Sequence, residues 1–192
     1  MKSMQFALGT LVATLSIALA PAAQALEVAG VKVEERLQVS GNELVLNGAG
    51  LRTKVFFKVY VASLYVSKKS GSAEQLLDST EPARMSLRML REIDADTLYG
   101  ALREGLAANV AEAELATLQN KLQLFAAIMR KVGTSHPGDT VSLDFHGDTV
   151  SVGFNGSVVG TLSAPRFGRV LLSIWLGDHP VEPGLKKALL GN

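Results

Sequence analysis

The segment that decides the fold is residues 48–66, with the sequence GAGLRTKVFFKVYVASLYV. Two glycines precede Arg52, which predicts a glycine-rich turn that delivers a permanently charged group to the start of a long apolar strand. Burying a guanidinium is costly unless it is paired. The arginine is therefore either tied to a structural carboxylate or directed at an anionic ligand in a mostly hydrophobic pocket, and both alternatives stay open at this point.

The strand predicted at residues 55–66 is apolar on both faces. Tyr60, Ala62 and Leu64 share one face, while Val59 and Val61 lie on the other, because side chains alternate along a strand. A strand with two apolar faces is covered on both sides. We therefore expect it to be central in its sheet.

Short strands and tight turns precede this segment. Ser40-Gly41-Asn42 and Asn47-Gly48 are turn signals on either side of a short apolar strand at residues 44–46. After it, residues 67–81 are polar and turn-rich, with a short helix possible at residues 73–77, and residues 83–90 alternate as another strand.

Two helices are predicted next. Asp94 caps the first, in which Leu98, Leu102 and Leu106 recur every four residues, and Tyr99 lies beside that stripe, so that its hydroxyl can reach whatever the helix covers. The second spans residues 111–132 and ends at Gly133. Its heptad-like spacing lasts only about three heptads, which favours a packed face over a dimeric coiled coil.

From residue 139 onward the apolar period returns to two. The turn signals Gly147-Asp148 and Asn155-Gly156 separate three apolar segments, which predicts a three-stranded antiparallel meander. Helices at residues 167–176, ended by Gly177, and at residues 183–190 complete the chain. Without internal repeats or linkers, we expect one α+β domain.

The N-terminus has the features of an export signal. Lys2 is followed by an apolar run at residues 6–20 and by the small-x-small site Ala23-Gln24-Ala25. A run of about 15 residues is short for a membrane span. We expect residues 1–25 to be a signal peptide cleaved between Ala25 and Leu26, which leaves residues 26–192 as a periplasmic or secreted domain without a membrane anchor.

Composition excludes several classes of function. The chain has no cysteine, and therefore no lipobox, disulfide or thiolate metal site. Removing Lys2 with the signal leaves 18 Lys+Arg of the original 19 against 18 Asp+Glu, a net charge of zero. The basic residues are also dispersed among acidic ones, so nucleic acid is not an expected partner.

Few residues qualify for chemistry. The histidines at 136, 146 and 179 lie in turns with no mutual spacing for a metal site, and no nucleotide or cofactor motif is present, so neither a metal nor a cofactor is predicted. The remaining candidates are groups that bind anions: first Arg52 and Tyr99, then Thr53, Lys58, Tyr60 and Ser173. Lys58 could instead extend to solvent, and Ser173 could return a hydrogen bond to its own helix.

Two motifs in order, the second with a C-terminal tail, resemble one family. They are GAGLR with FFKVYVASLYV at residues 48–66, and FGRVLLSIWLGD at residues 167–178 with the tail LKKALLG at residues 185–191. The chain resembles the chalcone isomerase superfamily and is most similar to its exported bacterial branch, the chalcone isomerase-like proteins. This resemblance implies an open-faced β-sandwich: an antiparallel sheet with a helical layer on one face and a ligand cleft between them.

The resemblance also implies roles for particular residues. Arg52 matches the arginine that stabilises a phenolate in chalcone isomerases, and Tyr99 matches a catalytic tyrosine. Ser173 and Ile174 match the positions where a threonine or serine and an apolar neighbour line the ligand cleft. Two positions depart from the catalytic pattern: Tyr60 stands for a threonine, and Leu106 stands where an asparagine is expected. If the chain were an isomerase, Arg52, Tyr99 and Tyr60 would be its catalytic residues.

Three functions follow from the resemblance. The first is a periplasmic non-catalytic protein that holds a fatty acid or similar amphipathic carboxylate in an apolar cleft, with Arg52, Tyr99, Tyr60, Ser173 and Ile174 around it. The second is an intramolecular lyase of chalcone isomerase type acting on an enone. The third is a module with a vestigial cleft whose partner is another protein.

Overall fold

The computed structural model describes residues 26–192, and the predicted signal peptide lies outside the described residues. Seven strands of this range form one antiparallel sheet, and four more form two small two-stranded sheets. In chain order the strands are β1 (Leu26–Val28), β2 (Val31–Val33), β3 (Arg36–Val39), β4 (Asn42–Lys54), β5 (Phe57–Val66), β6 (Ala83–Met89), β7 (Ile93–Asp94), β8 (Thr134–Ser135), β9 (Thr140–His146), β10 (Thr149–Phe154) and β11 (Ser157–Ser163).

The large sheet has the strand order β11-β10-β9-β6-β5-β4-β3. Strand β5 is internal, between β4 and β6, as the two apolar faces of its sequence predicted. The meander predicted after residue 139 is confirmed as β9, β10 and β11, with an irregularity between Val152 and Gly153.

Five helices accompany the sheet in the described residues: α1 (Ala73–Asp78), α2 (Ala95–Asn109), α3 (Glu112–Arg130), α4 (Phe167–Leu176) and α5 (Pro183–Leu189). All five contribute to one core against a single face of the sheet. The cap predicted at Asp94 is present, since its carboxylate accepts a hydrogen bond from the backbone N–H of Thr97 at 2.8 Å. None of the helices within residues 26–192 combines the length and apolar character needed to cross a bilayer.

The opposite face of the sheet has a smaller core. The β1–β2 hairpin packs there, and the Tyr65 hydroxyl donates a hydrogen bond to the carbonyl of Glu34 at 3.0 Å. The buried residues of this second core are Val33, Val39, Leu44, Leu46, Val61 and Tyr65. The predicted fold class, an α+β domain with an antiparallel sheet and helices on one face, is confirmed.

The glycine-rich turn predicted before Arg52 is wrong, and so is the turn at Asn47-Gly48. Gly48 and Gly50 lie inside the unbroken strand β4. A Cβ built on Gly48 would lie 2.0 Å from the carbonyl oxygen of Ala188, and one on Gly50 would lie 2.8 Å from the Cβ of Ala188. These glycines therefore let α5 lie directly on the strand, a close approach that any side chain would prevent.

Asn47 fixes the C-terminal end of α5. The register of β4 against β5 shifts between Leu46 and Gly48, so Asn47 has no strand partner there. Its buried amide nitrogen donates to the carbonyls of Leu189 at 2.7 Å and Ser70 at 3.0 Å, and its oxygen accepts from the Ser70 N–H at 2.8 Å. One side chain thus joins the strand, the loop before α1 and the last helix.

The start of the strand predicted at residue 55 is also wrong. Lys54 pairs with Phe57, so Val55 and Phe56 form a two-residue hairpin turn, and β5 begins at Phe57. Val55 adopts the left-handed conformation with φ of 58°. Turns of this length favour Gly, Asn or Asp, and neither turn position holds one of these residues, so the sequence did not predict the hairpin.

The first prediction concerns the contact between α5 and β4. Gly48→Ala should lower the free energy of unfolding by about 1–3 kcal/mol or more, because the new methyl group meets backbone that cannot turn away. Gly184→Ala, in α5 but with no atom within 4 Å of the added Cβ, is the control and should be neutral or slightly stabilising. Urea denaturation measures both, and equal stabilities would contradict the close approach.

The second prediction concerns the turn. Val55→Gly should relieve about 1–2 kcal/mol of left-handed strain at a cost of about 0.5–1 kcal/mol in backbone entropy, so the melting temperature should rise by about 1–4 °C. Val158→Gly, which removes another exposed valine from β11, should lower it. A fall in both variants would show that Val55 is not strained.

Candidate functional site

Arg52 lies near the end of β4 and already has an anionic partner. Its Nη1 donates to the carboxylate of Glu182 at 3.2 Å and also to the carbonyl of Thr53. The same carboxylate oxygen accepts the backbone N–H of Thr53 at 2.8 Å. The two charged side chains are 20% and 29% exposed. Glu182 thus occupies the position that an anionic ligand of Arg52 would take.

Tyr60 lies directly opposite Arg52 in the β4–β5 register. Its hydroxyl accepts a hydrogen bond from the indole N–H of Trp175 at 3.1 Å, and both side chains are buried. Burial raises the pKa of the Tyr60 phenol, and the hydrogen bond from Trp175 partly offsets that rise. A neutral phenol at this point joins β5 to α4 through its hydrogen bond with Trp175.

Tyr99 belongs to a different network. Its hydroxyl donates to the carbonyl of Leu122 at 3.1 Å, and its ring lies 6.3 Å from that of Phe125, so the side chain joins α2 to α3. Burial raises the pKa of its phenol, against the opposing charges of Arg103 and Arg130. No hydrogen bond links Tyr99 with Arg52 in the part of the chain that the structure describes.

Ser173 and Ile174 lie on α4, where both take part in helix packing. The Ser173 hydroxyl donates to the carbonyl of Val170 at 2.7 Å, which is the helix-backbone bond weighed for it from the sequence. Ile174 packs against Gly105 of α2, where an added Cβ would lie 2.8 Å from Ile174 Cγ2. Leu106, at the position where a catalytic asparagine is expected, is 1% exposed and belongs to the core.

A cavity of about 340 Å³ lies between the sheet and helices α1 and α4. Neither Arg52 nor Tyr99 lines it. Leu64 stands four residues along β5 from Tyr60, which is about 13 Å of strand. The apolar lining consists of Leu64, Val66, Leu76, Pro82, Ala83, Phe145, Leu172 and Leu176.

The rim of the cavity is polar. Lys68 is the cationic residue among those that line it, and Glu81 is the acidic one; Ser67 and Ser79 supply hydroxyls. Sequence reasoning missed this cavity because no motif marks it. The available signal was Ala83, a small residue on the inward face of β6, where its neighbours Met85 and Leu87 are large and fully buried.

A second, wider cavity of about 520 Å³ lies on the other side of the sheet, beneath the β1–β2 hairpin. Its lining is more polar and includes Ser63, Ser86 and Arg88, whose guanidinium donates to the Thr140 hydroxyl at 3.0 Å. Within residues 26–192, no group of three or more His, Cys, Asp or Glu side chains is placed to hold a metal ion.

Both the sequence and the fold are similar to those of known proteins. A family model described as chalcone isomerase-like matches residues 25–191. The fold is similar to the crystal structure of a fatty-acid binding protein from Arabidopsis thaliana, with a TM-score of 0.70, 15% sequence identity, and coverage of 84% of this chain and 92% of that one. No curated protein sequence matches the chain. At that identity the structural likeness establishes the fold.

The third prediction concerns the Arg52–Glu182 pair. Glu182→Ala should destabilise the protein by about 1–3 kcal/mol, since it leaves a mostly buried guanidinium and the Thr53 N–H without their acceptor. The matched control is Glu43→Ala, which breaks the pair with Arg36, where both side chains are more than half exposed, and should cost below about 1 kcal/mol. Thermal unfolding compares the two, and similar losses would mean that Glu182 is not a structural partner.

Proposed function

This chain belongs to the chalcone isomerase-like family. We propose that it is a non-catalytic binding protein for a fatty acid or a similar amphipathic carboxylate. We place it in the periplasm, after cleavage between Ala25 and Leu26. The ligand's apolar chain lies in the cavity between α1, α4 and the sheet. That cavity is the observation on which the proposal rests, with support from the fold shared with a plant fatty-acid binding protein.

The size and lining of the cavity fit an acyl chain. Its volume of about 340 Å³ is at the lower end of the range of about 300–1,000 Å³ typical of small-molecule sites. Its walls are leucine, valine and phenylalanine from the sheet and two helices. Each methylene buried there contributes about 0.8 kcal/mol, so the chain of the ligand supplies most of the affinity.

The surroundings of Arg52 favour binding over catalysis. An arginine that stabilises a developing phenolate needs donors aimed at that oxygen, but the guanidinium of Arg52 is directed at Glu182 and Thr53. The threonine and asparagine expected of an isomerase are replaced by Tyr60 and Leu106, both buried in packing. A cyclisation site would have to displace an ion pair and open the core.

Lys68 provides the charge for the ligand's carboxylate. It lines the rim of the cavity, so a chain buried between Leu64 and Leu172 would end near its ammonium group. Glu81 lies on the same rim and opposes an anion, which keeps the contribution of the carboxylate small. Arg52 and Tyr99, the anion site implied by the family resemblance, remain the alternative for the headgroup.

Titration with palmitate tests the proposal. Trp175, the single tryptophan, is buried on α4 between Leu172 and Leu176, which line the cavity, so its fluorescence should report binding. We expect saturable binding and a higher melting temperature in the presence of palmitate. Native mass spectrometry of the purified protein should detect a co-purified lipid acid.

Matched variants locate the ligand. Ala83→Leu should fill the cavity and weaken palmitate binding by tenfold or more, on the order of 1.4 kcal/mol. Lys68→Gln should weaken it by about two- to fivefold, as expected for an exposed ion pair, while Lys69→Gln, next in sequence but outside the cavity lining, should have no effect. Arg52→Gln should leave the affinity unchanged.

Contrary results have separate meanings. Protein that neither binds palmitate nor gains stability from it would overturn the binding function. Unchanged affinity in Ala83→Leu would exclude the cavity, and a loss confined to Arg52→Gln would move the carboxylate to the site implied by the resemblance. In the same preparation, 2′-hydroxychalcone should cyclise no faster than in buffer.

A further inference from the structure

The β4–β5 hairpin ends in an apolar tip. Val55, Phe56 and Phe57 are 76%, 92% and 59% exposed and consecutive in sequence. The other exposed large hydrophobic residues in the described part of the chain, Leu26, Leu124 and Val158, stand singly. Single exposed apolar residues are ordinary, but two neighbouring phenylalanines held in water at a hairpin end call for a partner.

The tip is also unfavourable as a turn. Val55 has φ of 58°, a conformation that a β-branched residue adopts only against steric resistance. Glycine or asparagine would close the same two-residue turn without that cost. The sequence thus retains apolar side chains at the expense of both solvation and backbone strain, and an outlier of this kind points to a role for the side chains themselves.

Positive charge surrounds the tip. Lys54 and Lys58 flank it on the two strands and are exposed, and the guanidinium of Arg91 lies 4.7 Å from the centre of the Phe57 ring. The carboxylate of Glu92, next to Arg91, lies 3.4 Å from the His136 imidazole. One cation thus lies over the Phe57 ring, and two exposed lysines stand next to the tip on its two strands.

We propose that this hairpin tip docks the protein onto an anionic lipid bilayer. Phe56 and Phe57 enter the boundary between headgroups and acyl chains, and Lys54, Lys58 and Arg91 contact the lipid phosphates. A second copy of the chain fits the tip less well, because its own Lys54, Lys58 and Arg91 would repel the same cations in a tip-to-tip contact. The attachment is peripheral and reversible, since only two side chains insert.

Co-sedimentation with vesicles tests this proposal. The protein is isolated from its exporting cell, with its N-terminus verified by mass spectrometry, and mixed with vesicles of phosphatidylcholine alone or with added phosphatidylglycerol. We expect binding to the phosphatidylglycerol vesicles that weakens as salt is raised. The paired substitution Phe56→Ser and Phe57→Ser should lower the partition coefficient at least tenfold.

Two further variants separate the parts of the proposal. Leu124→Ser with Val158→Ser removes exposed apolar side chains elsewhere and should bind vesicles like the wild type. Lys54→Gln with Lys58→Gln should lower binding to anionic vesicles by about fivefold per lysine and leave the weak binding to phosphatidylcholine unchanged. All the substituted side chains are exposed, so unchanged melting temperatures verify that each variant is folded.

Three results would overturn the proposal. One is a wild-type protein that does not bind anionic vesicles, and another is equal binding by the wild type and the phenylalanine variant. The third is a lipid-free dimer, seen by analytical ultracentrifugation, that the phenylalanine substitutions dissociate, because it would assign the tip to a second copy of the chain. Vesicle binding is read independently of palmitate binding, so failure here leaves the cavity proposal unaffected.

Discussion

The approach of α5 to β4 is the contact on which the surrounding architecture depends. Gly48 and Gly50 present bare backbone to the helix, which therefore sits closer to the sheet than side chains would allow. Asn47 binds its C-terminal end, and Glu182, just before its first residue, binds Arg52 and Thr53. Three polar groups of β4 and two glycines thus position a helix of only seven residues, which has little stability of its own. Arg52, the most prominent candidate in the sequence, therefore helps to hold α5 on β4.

Local signals in the sequence were sufficient for much of the fold. The meander followed from its turn dipeptides, α2 from Asp94 and a stripe of leucines, and the central position of β5 from its two apolar faces. Signals that depend on distant partners were ambiguous. A glycine that permits close approach of a helix has the same letter as a turn glycine, and the carboxylate that neutralises Arg52 lies 130 positions away. The Val55–Phe56 turn was missed because its residues contradict turn chemistry.

For the candidate site, too, the sequence predicted the residues of unusual type but not the cavity formed by packing. Sequence and family resemblance predicted Arg52, Tyr99 and Tyr60 as site residues, because their side chains can donate hydrogen bonds to an anion or an oxyanion. In the structure each of these groups has a partner within the fold: Glu182, the Leu122 carbonyl and Trp175. The open volume lies farther along β5, where it is lined by side chains of ordinary type and by the small Ala83. A cavity is the result of packing among several elements, so no short sequence motif predicts it.

The attachment of α5 has a consequence for the order of folding. The hydrogen bond from Asn47 to Leu189 joins residues 142 positions apart, so most of the domain must be organised before it forms. During synthesis the glycine surface of β4 waits uncovered for the last helix, and the apolar sites of Leu185 and Leu189 stay open with it. A chain shortened by its final ten residues would lack α5 and leave this surface of β4 exposed to chaperones and proteases.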